Sequence, residues 1–316
     1  MKFPVFDLHC DTALSLMGRK GKRLQLRSNT LHNDLERAKV LPAYAQCFAC
    51  YTTPMMADWG MGSPEAVFRG ELETITAEVE ANGDLIAFAR TADQVEASAA
   101  KGIMSAILTI EGPADFGFDP ARLEELYQRG FRITSLGWNE KNVLAGSHRT
   151  GGGLTDLGRE FVREAQRLGF IIDVSHISDE AFWDILKITD APIIATHSNS
   201  RAVCGVSRNL TDDMFRAICE TGGVAGFNQC APFVGTAPDL DTACDHFLHF
   251  MELDHEGKHI ALGGDLDGCD ELPRGFDGVQ DYPKLADRLL ERGLSEHNLN
   301  DIFWNNPLGV MRKCCM

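Results

Sequence analysis

The sequence predicts one α/β domain over residues 1–316, a (β/α)8 TIM barrel. Short apolar runs alternate with amphipathic runs along the whole chain, eight apolar runs are present, and most are hydrophobic without a break. This alternation is typical of βα units on a parallel sheet, whose strands are buried on both faces. A chain of 316 residues suits a barrel with insertions. The pattern leaves an open, doubly wound sheet as the alternative.

The eight apolar runs are predicted to form the barrel strands. A ninth run, 84–90, is predicted either to lengthen a crossover or to form a short side strand. The predicted strands are 4–9, 43–51, 104–112, 131–138, 170–176, 192–198, 223–229 and 259–268.

Amphipathic segments between the strands are predicted helices. Segments 119–130 and 157–169 end in glycine, a residue that commonly terminates a helix. Segments 178–189, 211–222 and 281–293 carry acidic residues near their beginning, where the helix dipole favours negative charge.

Composition and charge exclude several classes of function. The net charge of −16 repels nucleic-acid phosphates and anionic lipid, so we expect no nucleic-acid or membrane partner. The sequence has no apolar segment of transmembrane length and no signal-peptide pattern. The ten cysteines lie mostly in or beside apolar segments or at the tail, and we expect them to be reduced. We therefore expect a cytoplasmic protein.

Histidine or acidic residues mark the carboxyl ends of five predicted strands. The carboxyl ends of the strands meet on one face of a (β/α)8 barrel, where active sites are built. Imidazole nitrogens and carboxylate oxygens bind divalent metal ions. The sequence therefore predicts that residues far apart in the chain meet in one metal-binding pocket. These residues are His9, Asp11, Glu111, His176, His197 and Asp265.

Taken singly, these residues also have ordinary structural explanations. His9 and Asp11 are two apart, so they point to one side of an extended strand, but they could simply cap its end. Glu111 could be a helix cap or a surface residue, although its two oxygens could also bridge two ions. His176 and His197 end consecutive strands in similar local patterns, which favours a shared role over two separate core histidines.

Asp265 is the predicted proton carrier. Two glycines precede it and allow a ligand or backbone to approach closely. A carboxylate at this position could take a proton from water and deliver it to a leaving amine, and Asp267 is the alternative. The remaining histidines are interpreted as ordinary: His246 and His249 on a helix face, and His32, His148, His255, His259 and His297 in loops or at the ends of elements.

The chain resembles the membrane dipeptidase (renal dipeptidase) family of the amidohydrolase superfamily over essentially its whole length. The resemblance rests on DLHCDT (7–12), IEG (110–112), LGFIIDVSHIS (168–178), APIIATHSNSRAVCGVSRNLTDDM (191–214) and ALGGDLDG (261–268). The fourth of these blocks is long and specific. NPLGVMRK (306–313) is also similar to the closing helix of the family.

The resemblance implies a barrel of the metal-dependent hydrolase type that cleaves short dipeptides through a hydroxide bridging two metal ions. It implies zinc, although His and carboxylate ligands also suit manganese or iron. It places His9, Asp11 and Glu111 on the first ion, and Glu111, His176 and His197 on the second. Substrates with a D-configured C-terminal residue and a homodimer are further expectations.

The same resemblance also implies roles for residues outside the metal ligands. Arg208 aligns with an arginine that binds the terminal carboxylate of the substrate, a role that suits its planar fork of donors. Asp265 aligns with the acidic proton carrier. Trp138 stands where many members have a histidine near the scissile carbonyl, and its indole offers only a donor. Asn139 is therefore a candidate donor to the oxyanion.

Other functions remain open at this stage. Another amidohydrolase, such as an N-acyl-amino-acid deacylase or a lactonase, would share the barrel and ligands but would not need Arg208. A catalytically inactive metal-binding barrel is the other alternative, and Trp138 is the feature that favours it.

Overall fold

The computed structural model describes residues 3–18, 23–116, 119 and 121–315. Its strands are β1 (Val5–Cys10), β2 (Tyr44–Tyr51), β3 (Ile86–Phe88), β4 (Met104–Glu111), β5 (Phe131–Thr134), β6 (Ala145–Ser147), β7 (Gly151–Leu154), β8 (Ile171–Asp173), β9 (Ile193–Ile194), β10 (Ala225–Phe227) and β11 (Ile260–Leu262).

The helices lie mostly between these strands. They are α1 (Thr12–Met17), α2 (Leu35–Ala38), α3 (Pro64–Ala81), α4 (Ala92–Ala100), α5 (Ala121–Arg129), α6 (Asp156–Leu168), α7 (Asp179–Leu186), α8 (Asp212–Thr221), α9 (Ala231–Val234), α10 (Leu240–Leu253), α11 (Tyr282–Glu291), α12 (Glu296–Asn300) and α13 (Asn306–Cys314). Short 3-10 turns span Pro54–Met56, Pro113–Phe116 and Val279–Asp281, and a π-helical turn spans Asp301–Asn305.

Eight parallel strands form a nearly closed barrel in the order β10-β11-β1-β2-β4-β5-β8-β9. The ends of this path meet where Ala195 forms a parallel bridge with Ala225. This seam requires glycine, because a Cβ at Gly226 or Gly263 would lie 2.1 or 1.7 Å from the carbonyl oxygen of Thr196. The predicted barrel is confirmed, and the glycine before Gly264-Asp265 has a packing reason.

The ninth apolar run forms the side strand β3. It pairs in parallel with Met104–Ala106, while β5 pairs with Leu108–Ile110 further along the same strand. One of the two predicted interpretations of this run is therefore confirmed. The sequence analysis did not predict the antiparallel hairpin of β6 and β7, which lies outside the barrel sheet.

Several predicted strands are longer than the observed ones. β5 ends at Thr134, β8 at Asp173 and β11 at Leu262, several residues before the predicted ends. Beyond these points, hydrogen bonds to side chains take the place of the backbone hydrogen bonds between strands. For example, the Asp173 carboxylate accepts the backbone N–H of Ser175 at 2.9 Å. His176 and Asp265 then take left-handed backbone angles, φ 68° and 53°. The chain leaves the sheet where the polar residues begin.

Most helix ends follow the predicted signals: acidic residues lie in the first turn of α7 and α8, whereas the first turn of α11 has none and Asp281 precedes it. Thr155, Ser178 and Thr211 cap α6, α7 and α8 by accepting a backbone N–H. Gly169 ends α6 in the left-handed conformation, φ 97°, as predicted.

Apolar side chains fill the floor of the barrel. Phe6, Leu8, Ile107 and Ile171 form one buried cluster with residues of α13, among them Met311. The polar ends of the strands are thus left at the opposite, C-terminal face. In the described residues, no helix is both long enough and apolar enough to span a bilayer.

Candidate metal centre and active site

Three ligand-type side chains from distant parts of the chain meet at the C-terminal face of the barrel. His9 lies near the end of β1, Glu111 ends β4, and His197 follows β9. One ligand atom of each lies within 4.8 Å of the other two. The rings of His9 and His197 stack with centroids 3.7 Å apart. The predicted convergence of distant residues is present.

Two further carboxylates face His9. One atom each of His9, Asp11 and Asp265 also lies within 4.8 Å of the others, and all three residues are buried. The Nε2 atom of His9 is 3.6 Å from Asp11 Oδ2 and 4.0 Å from Asp265 Oδ1. Asp11 precedes α1, but its side chain accepts no capping hydrogen bond. The structure therefore does not support the simple cap interpretation.

Glu111 lies between two histidines. Its Oε2 is 3.2 Å from His9 Nε2, and its Oε1 is 3.0 Å from His176 Nε2. Each carboxylate oxygen thus faces a different imidazole, which is the arrangement that a bridging carboxylate needs.

The tautomers of His176 and His197 follow from their outer partners. His176 Nδ1 is 3.0 Å from Asn139 Oδ1, an acceptor, so Nδ1 carries the proton. His197 Nδ1 is 2.7 Å from the Thr196 hydroxyl, which itself donates to Asp173, so this Nδ1 also donates. Both Nε2 atoms therefore carry lone pairs, and they lie 2.9 Å apart. Two lone pairs at this distance repel each other unless a positive charge lies beside them.

Unpaired polar atoms are concentrated at the same place. His9 Nε2, Asp11 Oδ1 and Glu111 Oε1 are buried and form no hydrogen bond of acceptable geometry with the described residues. Leaving one such atom unsatisfied costs about 1–3 kcal/mol. Three imidazoles and the carboxylates between them fit divalent cations, which would satisfy these atoms together.

The protonation states agree with this fit. Burial lowers the pKa of His176 and His197 well below the usual value, and nearby positive charge adds to the effect. Burial opposes protonation of His9 as well, but contacts with Asp11 and Glu111 outweigh it and raise its pKa. Burial raises the pKa of Glu111 to about 7. These neighbouring charges are balanced best when a cation is shared among them.

Asp265 and Asp267 have different surroundings. Asp265 Oδ2 accepts a hydrogen bond from Asn228 at 3.0 Å, and Oδ1 faces His9. Asp267 instead accepts from the Thr12 hydroxyl at 2.7 Å and the His32 N–H at 2.6 Å. Asp267 therefore joins α1 to a neighbouring loop, and Asp265 is the carboxylate that faces the metal ligands.

Arg208 is a buried cation beside this centre. Its guanidinium donates to Ser198 Oγ at 2.6 Å and to the His197 carbonyl at 2.9 Å. Its Nε is buried without a partner, and in the described part of the chain no carboxylate lies within 4.0 Å of it. A buried guanidinium without an ion pair is costly, and a bound anion would remove that cost.

Comparison with known proteins identifies the family of this chain. The family model described as membrane dipeptidase (peptidase family M19) matches residues 1–315. The chain belongs to the membrane dipeptidase family. It is therefore a metal-dependent dipeptide hydrolase on a TIM barrel.

Three relatives illustrate the range of similarity. An uncharacterized dipeptidase of Schizosaccharomyces pombe is 37% identical over 216 residues, which are 66% of this chain and 53% of that protein, about half its length. A metallopeptidase from Rhodobacter sphaeroides, solved with a phosphinate mimic of L-Ala-D-Ala, is 27% identical, with a TM-score of 0.87 and 99% of both chains covered. A structure of dipeptidase AC is also 27% identical, with a TM-score of 0.86, covering 100% of this chain and 99% of that one.

Trp138 forms part of an aromatic wall in this dipeptidase. It packs edge-on against Tyr51 and Trp59, with ring centroids 5.2 and 6.3 Å away, and lies 6.2 Å from the His176 ring. The Tyr51 hydroxyl is buried and has no hydrogen-bond partner among the described residues. The sequence analysis missed Tyr51, although it ends β2 as the metal-type residues end other strands.

His148 is a second residue that the sequence analysis missed. Its Nε2 donates to Asn139 Oδ1 at 2.8 Å, and its Nδ1 lies 3.0 Å from the Ser207 hydroxyl. Burial, with Arg208 nearby, lowers its pKa to about 4, so it is neutral. Because Asn139 Oδ1 also accepts from His176, Asn139 orients both rings. His148 lies in the turn between β6 and β7, a hairpin that was not predicted, and no motif around it indicated a functional role.

Two buried aspartates support the ligand segments from behind. Asp7 accepts the N–H groups of His9 and Gly264 at 3.0 and 2.9 Å, which ties β1 to the segment before Asp265. Asp173 accepts hydrogen bonds from the backbone N–H and the hydroxyl of Thr196, and so holds the segment that carries His197. In both cases, an acidic residue inside an apolar run was the feature of the sequence that could have indicated this supporting role.

Proposed function

We propose that this chain hydrolyses dipeptides at a pair of divalent ions, most suitably zinc. His9, Asp11 and Glu111 would hold one ion, and Glu111, His176 and His197 the other. The supporting observation is that the Nε2 lone pairs of His176 and His197 lie 2.9 Å apart, with a Glu111 oxygen 3.0 Å from the first. Bound ions would lower the pKa of a water molecule towards neutrality and polarise the scissile carbonyl.

Asp265 accepts the proton in this proposal and delivers it to the departing amine. Its Oδ1 faces the His9 side of the centre, whereas Asn228 fixes Oδ2. A positioned group of this kind contributes about 10²–10⁴-fold to turnover. Burial raises the pKa of Asp265, with the charge of His9 acting in the opposite direction. A raised pKa suits a group that must both accept and release a proton.

Arg208 selects substrates with a free C-terminal carboxylate. Its buried guanidinium lacks an anionic partner within the described residues, so a dipeptide carboxylate would supply the missing charge. A longer peptide presents a neutral amide at this position and is disfavoured. The Rhodobacter relative was solved with a mimic of L-Ala-D-Ala. We propose that dipeptides with a D-configured C-terminal residue are also substrates of this chain.

A hydrolysis screen tests this proposal. Purified protein, with and without a chelator, is given L,L and L,D dipeptides, tripeptides, N-acyl amino acids and lactones. We expect chelator-sensitive cleavage of dipeptides and slow or absent cleavage of the other classes. Preferred cleavage of N-acyl amino acids or lactones would favour the other amidohydrolase activities. Metal binding without any turnover would indicate an inactive barrel.

Replacing Arg208 by methionine tests the carboxylate clamp. A charge-assisted hydrogen bond contributes about 1.5–3 kcal/mol, so we expect KM for dipeptides to rise about 10- to 100-fold. Metal content should not change. Arg201→Met is the matched control, because Arg201 pairs with Asp179 at 2.7 Å outside the metal centre. Equal KM values in wild type and Arg208→Met would contradict the clamp.

Trp138 stands where many family members have a histidine near the scissile carbonyl. The Tyr51 hydroxyl is a hydrogen-bond donor that could take the place of that histidine, and removing the hydroxyl tests this role. Burial raises the pKa of Tyr51, so the hydroxyl keeps its proton and can donate to a developing oxyanion. We expect Tyr51→Phe to lower kcat about 100- to 1,000-fold with little change in KM. Tyr127→Phe, a change in α5, is the control. An unchanged kcat in Tyr51→Phe would assign the oxyanion to other groups.

Two expectations from the sequence stay predictions. We propose a cytoplasmic location and a homodimer, and cell fractionation and analytical ultracentrifugation test them directly.

A further inference from the structure

A second cluster of metal-binding side chains lies away from the catalytic face. Cys219 lies in α8, Asp254 caps the C-terminus of α10, and His259 directly precedes β11. One ligand atom of each lies within 4.8 Å of the other two, and all three residues are partly exposed. The candidate active-site ligands lie at or beyond the carboxyl ends of strands, whereas His259 precedes a strand. The cluster therefore belongs to the N-terminal end of the barrel.

Contacts outside the side-chain triad orient its imidazole. His259 Nδ1 is 2.8 Å from the carbonyl oxygen of Gly223, which can only accept, so Nδ1 carries the proton. The lone pair of the neutral ring is then on Nε2. The backbone N–H of His259 donates to Asp254 Oδ2 at 2.8 Å, which fixes the carboxylate relative to the histidine. A ring nitrogen held by a backbone carbonyl is the usual support of a metal-binding histidine.

The charges at this cluster favour a bound cation. Cys219 is a free thiol, and burial, followed by the charge of Asp254, raises its pKa to about 12. Glu220 adds further negative charge nearby, and Arg216 acts weakly in the opposite direction. A divalent ion would add positive charge here, lower the pKa of the Cys219 thiol so that it loses its proton, and pair with the Asp254 carboxylate.

We propose that Cys219, Asp254 and His259 bind one zinc ion, with water as the fourth ligand. Sulfur, nitrogen and oxygen donors together suit zinc, whose bonds to them are about 2.0–2.3 Å long. Tetrahedral ligand atoms then lie roughly 3.3–3.8 Å apart. The ligand atoms of the cluster lie within 4.8 Å of one another, so zinc binding needs them to move together by at most about 1–1.5 Å.

This ion has a structural role. It would join α8, the C-terminal end of α10 and the residue that precedes β11, and so add a link to the packing of α8 on α10, where the rings of Phe215 and Phe250 stack. In a (β/α)8 barrel this end contributes to stability and the opposite end to chemistry. The site is therefore independent of the proposed hydrolysis, and loss of either leaves the other intact.

Cobalt substitution distinguishes this site from the catalytic centre. The proposed catalytic ligands contain no sulfur, so a thiolate-to-cobalt charge-transfer band reports on Cys219. We expect the band in wild type and in Cys314→Ala, which removes a partly exposed cysteine outside the cluster. We expect no such band, and one metal equivalent fewer, in Cys219→Ala and His259→Ala. Dipeptide hydrolysis should be unchanged in both variants.

A second measurement needs no variant. Zinc should protect Cys219 of the wild-type protein from alkylation, as read by mass spectrometry, and should raise the Tm of wild type more than that of Cys219→Ala. A charge-transfer band that persists in Cys219→Ala would overturn the proposal. So would wild-type protein that shows no such band and no protection of Cys219 at saturating metal.

Discussion

Asp265→Asn should retain both metal ions and lose about a thousandfold in kcat, within the 10²–10⁴-fold range of general acid–base catalysis. The amide keeps the shape of the side chain and can still meet Asn228, which contacts Oδ2 at 3.0 Å. It cannot accept a proton from water and return it to the amine. Steady-state kinetics and elemental analysis of the same preparation check this expectation.

Asp267→Asn is the matched control for this variant. Asp267 lies two residues further on and also has a left-handed backbone, φ 68°, but it binds Thr12 and His32. We expect this variant to lose some stability and to keep most of its turnover. If Asp265→Asn turned over like wild type while Asp267→Asn failed, the proton carrier would have been misassigned.

Glu111→Gln should lose at least one metal ion and at least about a thousandfold in turnover, because a neutral amide cannot bridge two cations as a carboxylate does. Each Glu111 oxygen faces a different histidine, at 3.2 and 3.0 Å. The change therefore affects both halves of the proposed centre. Metal content after dialysis and kcat/KM for a dipeptide measure the effect.

Glu71→Gln provides the control for a buried glutamate. Glu71 lies in α3 and accepts the backbone N–H of Tyr51 at 3.2 Å. Burial raises its pKa well above the usual value, which favours the neutral carboxyl group, and an amide has nearly the same shape as that form. We expect wild-type metal content in this variant. Equal metal loss in both variants would point to general destabilisation.

The convergence of the candidate metal ligands could be predicted because one geometric rule connects the sequence to the site. Strand ends in a parallel barrel share one face, so His9, Glu111 and His197 could be brought together without knowledge of loops. The motifs of the family resemblance then indicated Arg208. No pattern in the sequence shows that Arg208 is buried next to Ser198 and His197. The rule worked because the strands, at least in their first residues, are continuous apolar runs.

Other parts depend on tertiary contacts that leave no local pattern. His148 reaches Asn139 only because an antiparallel hairpin folds over the barrel face. The predicted strand ends were too late because Asp173 and the left-handed His176 redirect the chain, and periodicity does not report either effect. His259 looked like an ordinary histidine before β11. Its possible partners come from two separate helices.

Anomalous scattering at the zinc edge, from crystals grown with zinc, tests the central claim most directly. The account predicts two peaks at the C-terminal face, one contacting His9, Asp11 and Glu111 and the other Glu111, His176 and His197. A single peak there, or peaks that Glu111 does not contact, would contradict it.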